Sequence, residues 1–185
     1  MKIMVASDIH GSAHYCRMLL EAFNASQADR LVLLGDILYH GPRNDLPKEY
    51  GPKAVIEMLG PYKNKIYGVR GNCDTEVDQM VLPFPIMADY GLLSIEGKTL
   101  YATHGHVFHP DHLPPMQEGD ALLYGHTHLL RAERVMAEGI GQITVLNPGS
   151  VSIPKGGNPA TYGILEKGVF SILTFEGDVV AQIGL

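Results

Sequence analysis

The sequence predicts a mixed α/β fold in which two β-sheets pack face to face with helices outside them. Three observations support this class. Strands alternate with helical segments in the first half of the chain, and short strands separated by tight turns fill the second half. The composition, 45% hydrophobic and 18% charged, is that of a compact globular protein and excludes a disordered or fibrous chain. The length fits a single domain over residues 1–185.

The first half has the strand–helix–strand rhythm of a parallel sheet. Short apolar runs predict buried strands at residues 3–6, 31–34 and 66–69. Ser12 can cap a first helix that runs to about Ala25, and a second helix is expected over residues 54–59. Residues 40–47, rich in Gly, Pro and Asn, are expected to form a loop.

The second half contains closely spaced strands, which favour an antiparallel or mixed sheet. They are expected at residues 91–95, 99–103, 121–124, 131–136, 144–146, 162–165, 170–174 and 179–183. Turn signals such as Glu96-Gly97-Lys98 separate several of them.

The net charge of −6 argues against long nucleic acid and anionic membranes as partners, although a local positive site can still hold an anionic substrate. No apolar run approaches the ~20 residues of a membrane span, and the first residues do not resemble a secretory signal. The two cysteines, Cys16 and Cys73, form no CxxC pair, so a cytoplasmic, reducing location is expected.

Polar clusters directly follow five of the predicted strands. They are Asp8-Ile9-His10, Gly35-Asp36, Gly71-Asn72-Cys73-Asp74, His104-Gly105-His106 and Gly125-His126-Thr127-His128. Because the carboxyl ends of strands form the ligand crevice of an open α/β sheet, these clusters can converge on one point. In extended backbone, residues i and i+2 point to the same side. Asp8 and His10 can therefore reach one ion, and His126 and His128 can reach the same ion or two adjacent ones.

The donor types in these clusters are carboxylate, amide oxygen and imidazole, which suit Mn, Fe, Zn or Co. Two ions ~3.5–4 Å apart would form the clamp used for displacement at phosphorus, and Asp36 is the candidate bridge. A single strand-end Asp is usually a turn former and a single His-x-His pair is usually just hydrogen-bonded, but five such clusters in a row favour a metal site. The remaining histidines are expected to have ordinary surface or loop roles: His14, His40, His109 and His112.

The five clusters resemble the motif series of the calcineurin-like metallophosphoesterases, and residues 147–155 resemble the small bacterial and archaeal branch of that family. The resemblance implies a four-layer αββα sandwich with a dinuclear centre. One ion would be held by Asp8, His10, Asp36 and His128, and the other by Asp36, Asn72, His104 and His126. It further implies that a bridging hydroxide attacks the phosphorus of a small phosphodiester. Manganese is the first expectation, with zinc, iron, cobalt and nickel as alternatives, and family habit makes a homo-oligomer an expectation.

One position departs from the family pattern, because Cys73 stands where many members have a histidine that protonates the leaving group. A thiol with a pKa of ~8.5 is a poor acid near neutral pH. Cys73 can contact the substrate or simply fill space beside Asn72, and His106 can be a substitute acid or a hydrogen-bonding residue. We therefore assign Asn72, Cys73, His104 and His106 as candidate catalytic residues, and expect a preference for aryl phosphodiesters.

Substrate contacts are expected from Asn72, Cys73 and Arg43. Arg43 follows Asp36 closely enough to reach a phosphate, although a loop arginine is often solvated, and Lys155 has similar standing. Two other functions stay open, a phosphomonoesterase and a non-catalytic protein-binding scaffold of the same fold. The presence of all seven ligand residues favours an enzyme.

Overall fold

The computed structural model describes all 185 residues and contains eleven strands and three α-helices. In chain order these are β1 (Lys2–Ala6), α1 (Ala13–Ser26), β2 (Arg30–Leu33), α2 (Pro52–Leu59), β3 (Ile66–Gly68), α3 (Glu76–Val81), β4 (Tyr90–Ile95), β5 (Lys98–Thr103), β6 (Ala121–Leu123), β7 (Leu130–Ala137), β8 (Gly141–Pro148), β9 (Thr161–Glu166), β10 (Val169–Thr174) and β11 (Val179–Gly184). A 3₁₀ turn over Gly60–Tyr62 follows α2. No helix is both long enough and apolar enough to span a membrane.

The strands form two mixed sheets, which confirms the predicted fold class. The first sheet has the order β11-β10-β9-β1-β2-β3; β1, β2 and β3 are parallel, as expected, and β9 joins β1 antiparallel. The second has the order β4-β5-β6-β8-β7, with β5, β6 and β8 parallel and antiparallel strands at both edges. The last three strands of the chain therefore complete the sheet that the first three begin.

The interior strands β1 and β2 of the first sheet are buried on both faces, which explains their nearly continuous apolar sequences. On one face, Val5 and Leu34 pack against residues of the second sheet such as Leu123. On the other face, Met4 and Leu33 belong to the cluster that includes the buried side of α1 and α2. The first helix begins as predicted, with Ser12 accepting a hydrogen bond from the backbone N–H of Tyr15 at 3.3 Å.

The three helices all precede β4, and the outer face of the second sheet is covered by the segment 107–119 instead of a helix. Leu113 and Met116 from this segment pack on Tyr101 and Leu122. The segment contains Pro110, Pro114 and Pro115, and proline interrupts helical hydrogen bonding. The fourth layer of the sandwich is therefore an irregular loop.

The third helix, α3, was not among the predicted elements. It is six residues long and buries none of them, so it has no apolar stripe for sequence periodicity to detect. Its local signal is a capping box, in which Thr75 and Asp78 bond each other's backbone N–H groups.

Candidate metal centre

The two sheets bring the candidate ligands together at the carboxyl ends of β1, β2, β3, β5 and β6. Around Asp8 Oδ1, the Nε2 atoms of His128 and His10 lie at 3.2 and 3.6 Å. A second set surrounds His104 Nε2, which is 3.1 Å from Asn72 Oδ1 and 3.2 Å from His126 Nδ1. The predicted convergence of the clusters is present.

Asp36 lies between these two sets. Its Oδ2 is 3.7 Å from His10 Nε2 on one side and 3.5 Å from His104 Nε2 on the other. Its second oxygen, Oδ1, accepts the backbone N–H of Cys73 at 2.8 Å. One carboxylate oxygen therefore faces both groups of candidate ligands, which is the placement that a bridging ligand needs.

Backbone carbonyls orient three of the imidazoles. The Nδ1 atoms of His10, His104 and His128 lie 2.8, 2.6 and 2.6 Å from the carbonyl oxygens of residues 39, 34 and 153. Since a carbonyl only accepts, each Nδ1 carries the proton and each Nε2 is left to bind a proton or a metal ion.

The resulting arrangement is unfavourable without a cation. Nε2 of His10 and Nε2 of His128 lie only 3.3 Å apart. A hydrogen bond between them requires one nitrogen to carry a proton and the other to present its lone pair. Asp8 Oδ1 is buried without a hydrogen bond of normal geometry. Two carboxylates and three imidazoles thus face one another within the sets Asp8–His10–His128 and Asp8–Asp36–His104, which have the geometry to hold a metal ion. The amide oxygen of Asn72 lies beside them, next to His104. The donor set fits the divalent metals that the resemblance implies.

Asp8 and His10 lie within one candidate ligand group, as predicted, but the loops reach this geometry through left-handed backbone and not through the extended backbone that was expected. Positive φ angles occur at Asp8 (60°), His10 (51°), Asp36 (53°), His126 (64°) and His128 (60°). β1 ends at Ala6 and β6 at Leu123, before the ligand residues begin. Non-glycine residues in this region cost roughly 1–3 kcal/mol each and cluster at functional sites. The surrounding contacts must therefore hold the loops in place.

Asp74 makes one such set of contacts, although the sequence motifs assigned it no role. Its carboxylate accepts the backbone N–H groups of Asp36 (2.8 Å), Ile37 (3.0 Å) and Gly71 (2.8 Å). It therefore ties the loop after β2 to the loop after β3. Burial raises the pKa of Asp74, and the three N–H donors only partly oppose that shift.

Residues 147–155 form a second brace. The hydroxyls of Ser150 and Ser152 donate to the backbone carbonyl of Asp8 at 3.0 and 2.9 Å. The Asn147 amide donates to the carbonyl of Gly125 at 2.9 Å. This stretch, singled out in the sequence for its resemblance alone, supports the loops that carry Asp8 and His126.

In the absence of metal, the charged side chains of the site shift one another's pKa values. Burial opposes the charge on Asp8, but the surrounding imidazoles of His10, His128 and His104 hold the pKa of this carboxyl well below its usual range. Burial likewise opposes the charge on His104, yet its contact with Asp36 and the charge of Asp8 raise the pKa of this imidazole to about 9. Without metal, protons supply part of the positive charge that the site attracts, so metal binding is expected to release protons.

Cys73 and His106 are both poor proton donors in this environment. Burial, followed by the charge of Asp36, raises the pKa of the Cys73 thiol to about 12. Burial, followed by the charges of His104 and Arg70, lowers the pKa of His106 to about 4, so its ring is neutral near pH 7. The Nδ1 atom of His106 is buried without a hydrogen bond in the protein. These surroundings do not favour His106 as the substitute acid.

An open cavity of about 410 Å³ lies over the ligands. Arg43 and Lys155, both exposed, line it together with Asn72 and Cys73, so the four residues expected near the substrate lie around one space. The Asn72 amide also donates to Cys73 Sγ at 3.2 Å.

The histidines predicted to be bystanders lie outside the ligand set. His14 is 3.6 Å from a Glu49 carboxylate oxygen, and the ring of His40 packs edge-on against Tyr39 and Tyr50. His109 and His112 pair through their backbones, but His109 also lines a separate cavity beside His126.

Comparisons with known proteins agree with this geometry. A family model described as the calcineurin-like phosphoesterase superfamily domain matches residues 1–168. The chain is 50% identical over 186 residues to phosphodiesterase YfcE of Escherichia coli K12, covering 100% of this chain and 98% of that protein. A solved structure of YfcE, described as a phosphoesterase from E. coli, has a TM-score of 0.94 and covers 100% of this chain and 99% of the other.

More distant relatives extend the likeness. Phosphodiesterase MJ0936 of Methanocaldococcus jannaschii is 28% identical over 175 residues, covering 90% of this chain and 93% of that protein. Vps29 of Entamoeba histolytica, solved in complex with zinc, has a TM-score of 0.59 at 18% identity, with 100% and 99% coverage, and shares the fold.

Proposed function

The chain belongs to the calcineurin-like phosphoesterase superfamily, and we propose that it hydrolyses small phosphodiesters with two divalent metal ions. One ion would be held by Asp8, His10, Asp36 and His128, and the other by Asp36, Asn72, His104 and His126. The placement of Asp36 Oδ2 between His10 and His104, at 3.7 and 3.5 Å, is the observation that carries the proposal. Manganese is the expected native metal, with zinc, iron, cobalt and nickel as alternatives, because a donor set of carboxylate and amide oxygens with imidazole nitrogens suits several of these ions.

Two such ions, when bound, would supply the chemistry that the reaction needs, because they would lower the pKa of a bound water molecule and place positive charge against the phosphoryl oxygens. The protein contributes orientation. Arg43 and Lys155 line the cavity over the ligands, where their charges would hold a phosphate anion against the site. Asn72 would hold its amide oxygen toward the second ion while its amide nitrogen remains near Cys73.

The expected substrate preference follows from the lack of a good proton donor. With the pKa of Cys73 near 12 and that of His106 near 4, neither group supplies a proton efficiently at neutral pH. Diesters with stable leaving groups, such as aryl phosphodiesters, should therefore be cleaved fastest. A cytoplasmic location is part of the same proposal and rests on two free cysteines.

The test is a panel of aryl and alkyl phosphate mono- and diesters, assayed on metal-stripped protein reconstituted with each metal. We expect two metal equivalents per chain and the highest kcat/KM on aryl diesters with Mn²⁺. Asp36→Ala should lower both metal content and activity, whereas Asp178→Ala, which removes a carboxylate from an exposed turn, should change neither. Unchanged activity in Asp36→Ala would refute the dinuclear mechanism, and faster cleavage of monoesters would favour a phosphomonoesterase.

A non-catalytic scaffold is the remaining alternative. Its expected outcome in the same panel is the absence of turnover with every reconstituted metal. The intact set of seven candidate ligands argues against it, because a site used only for protein binding has no need of convergent metal donors.

A further inference from the structure

A second cavity, of about 430 Å³, opens beside the candidate metal centre. His126 and Thr127 line both cavities, so the two share a wall. The ring centroid of His106, on the far side of that wall, is 6.4 Å from that of His126 and 5.4 Å from that of His104. The two cavities are therefore adjacent, and a substrate long enough to pass over His126 and Thr127 would contact both.

The lining of the second cavity is polar. The residues that line it carry hydroxyl, carboxylate, guanidinium and imidazole groups: Tyr124, Thr127, Asp111, Arg131, His106 and His109. The volume lies within the range of small-molecule sites, roughly 300–1,000 Å³, but such sites are ordinarily lined by apolar side chains. Closely spaced donors and acceptors fit a ligand rich in hydroxyl and ether oxygens.

The charge of the second cavity is close to balanced. Arg131 donates through Nε to a Glu133 carboxylate oxygen, and one terminal nitrogen lies 3.5 Å from the Tyr124 hydroxyl. The other terminal nitrogen forms no hydrogen bond within the protein, so its N–H groups can bind a ligand. Among the residues that line the cavity, Arg131 carries the one positive charge and Asp111 the one negative charge.

The first cavity differs in this respect. Arg43 and Lys155 line it as two cations without a carboxylate paired to either, so it suits the charged phosphate. The second cavity suits an uncharged polar group. The two neighbouring spaces thus match the two chemical parts of a phosphodiester of a sugar or nucleoside.

Building on the proposed function, we propose that the second cavity binds one esterifying alcohol of the phosphodiester, and that this alcohol is a sugar or nucleoside. Arg131 is the specificity-determining residue, since its free N–H groups can donate to the hydroxyl, ring or carbonyl oxygens of that alcohol. A small alkyl alcohol would not reach these partly exposed donors, which would stay hydrated, and it would gain nothing from the cavity.

Two substrates with the same leaving group test this directly: thymidine p-nitrophenyl phosphate and methyl p-nitrophenyl phosphate. With Mn²⁺-loaded protein we expect kcat/KM to be at least tenfold higher for the thymidine ester. Arg131→Ala should lower kcat/KM for the thymidine ester by about tenfold and leave that of the methyl ester within about twofold. Arg134→Ala is the matched control, because this arginine lies on the same strand and donates to the carbonyl of Gly184.

Calorimetry with thymidine monophosphate and inorganic phosphate gives a second readout that needs no turnover. Arg131→Ala should weaken binding of the nucleotide and leave binding of phosphate unchanged. Equal losses for both substrates, or no loss for either, would overturn the proposal. If the wild type binds two metal ions but cleaves neither ester, the proposed function fails, and the calorimetric comparison still decides whether the cavity binds a nucleoside.

Discussion

Replacing Gly71 with alanine is expected to displace the Asp36 carboxylate and so to remove most of the activity. A Cβ atom at position 71 would lie 2.1 Å from Asp36 Oδ1 and 2.3 Å from the Asp36 backbone nitrogen. Gly71 is not among the residues with positive φ, so an alanine there has no backbone penalty. The effect of the substitution is purely steric.

The size of the effect follows from this distance. Ordinary contact begins at 3.4 Å, so Asp36 or its loop must move by more than 1 Å. Misplacement of a reacting group by about 1 Å can reduce the rate by about 100-fold. We expect a loss of that order in kcat/KM, a loss of about 10- to 100-fold in metal affinity, and about 1–3 kcal/mol of destabilisation from overpacking.

The assay combines three measurements on Gly71→Ala: kcat/KM on an aryl diester, Mn²⁺ affinity by titration calorimetry, and Tm. Gly60→Ala is the matched control, because a Cβ at position 60 meets no atom within 4 Å. Wild-type kcat/KM together with wild-type Mn²⁺ affinity in Gly71→Ala would refute the placement of Asp36 as a ligand held by close packing.

Three further predictions concern titration and stability. The pKa of His104 is raised to about 9, so its protonated form contributes its full stability below pH ~6.5. This contribution is lost as the pH rises through 9. The Tm of the chelator-treated protein should fall over that window, and a constant Tm would contradict this. Burial raises the pKa of both thiols, Cys73 and Cys16, to about 12, so few of them are ionised at pH 8. Mass spectrometry should therefore detect slow labelling of the metal-free protein by iodoacetamide, and rapid labelling would contradict the burial of these thiols. Asp74→Asn should lower the free energy of unfolding in urea by about 1–3 kcal/mol, because the new amide nitrogen cannot accept the backbone N–H groups that the carboxylate binds. An unchanged free energy of unfolding would rule out the tie between the two loops.

The fold was predictable where local sequence and burial agree. β1 and β2 are apolar runs buried on both faces, and α1 has both an apolar stripe and a Ser12 cap. Prediction failed where stability comes from elsewhere in the structure. α3 buries none of its residues, and the segment 107–119 forms no helix or strand and packs on Tyr101 and Leu122 through Leu113 and Met116.

The site shows the same division at the level of single residues. The sequence by itself determined which donor atoms are present and that each cluster follows a strand, because side-chain chemistry and apolar periodicity are local properties. Only the tertiary structure decided that Asp8 and His10 meet through left-handed backbone, and that Asp36 lies between two groups of ligands. His10 and His128 are 118 positions apart, and their nitrogen atoms approach to 3.3 Å because the two sheets pack face to face. The second cavity depends on the same packing, which places Arg131 of an edge strand and His106 of a loop around one space that neither neighbourhood encodes alone.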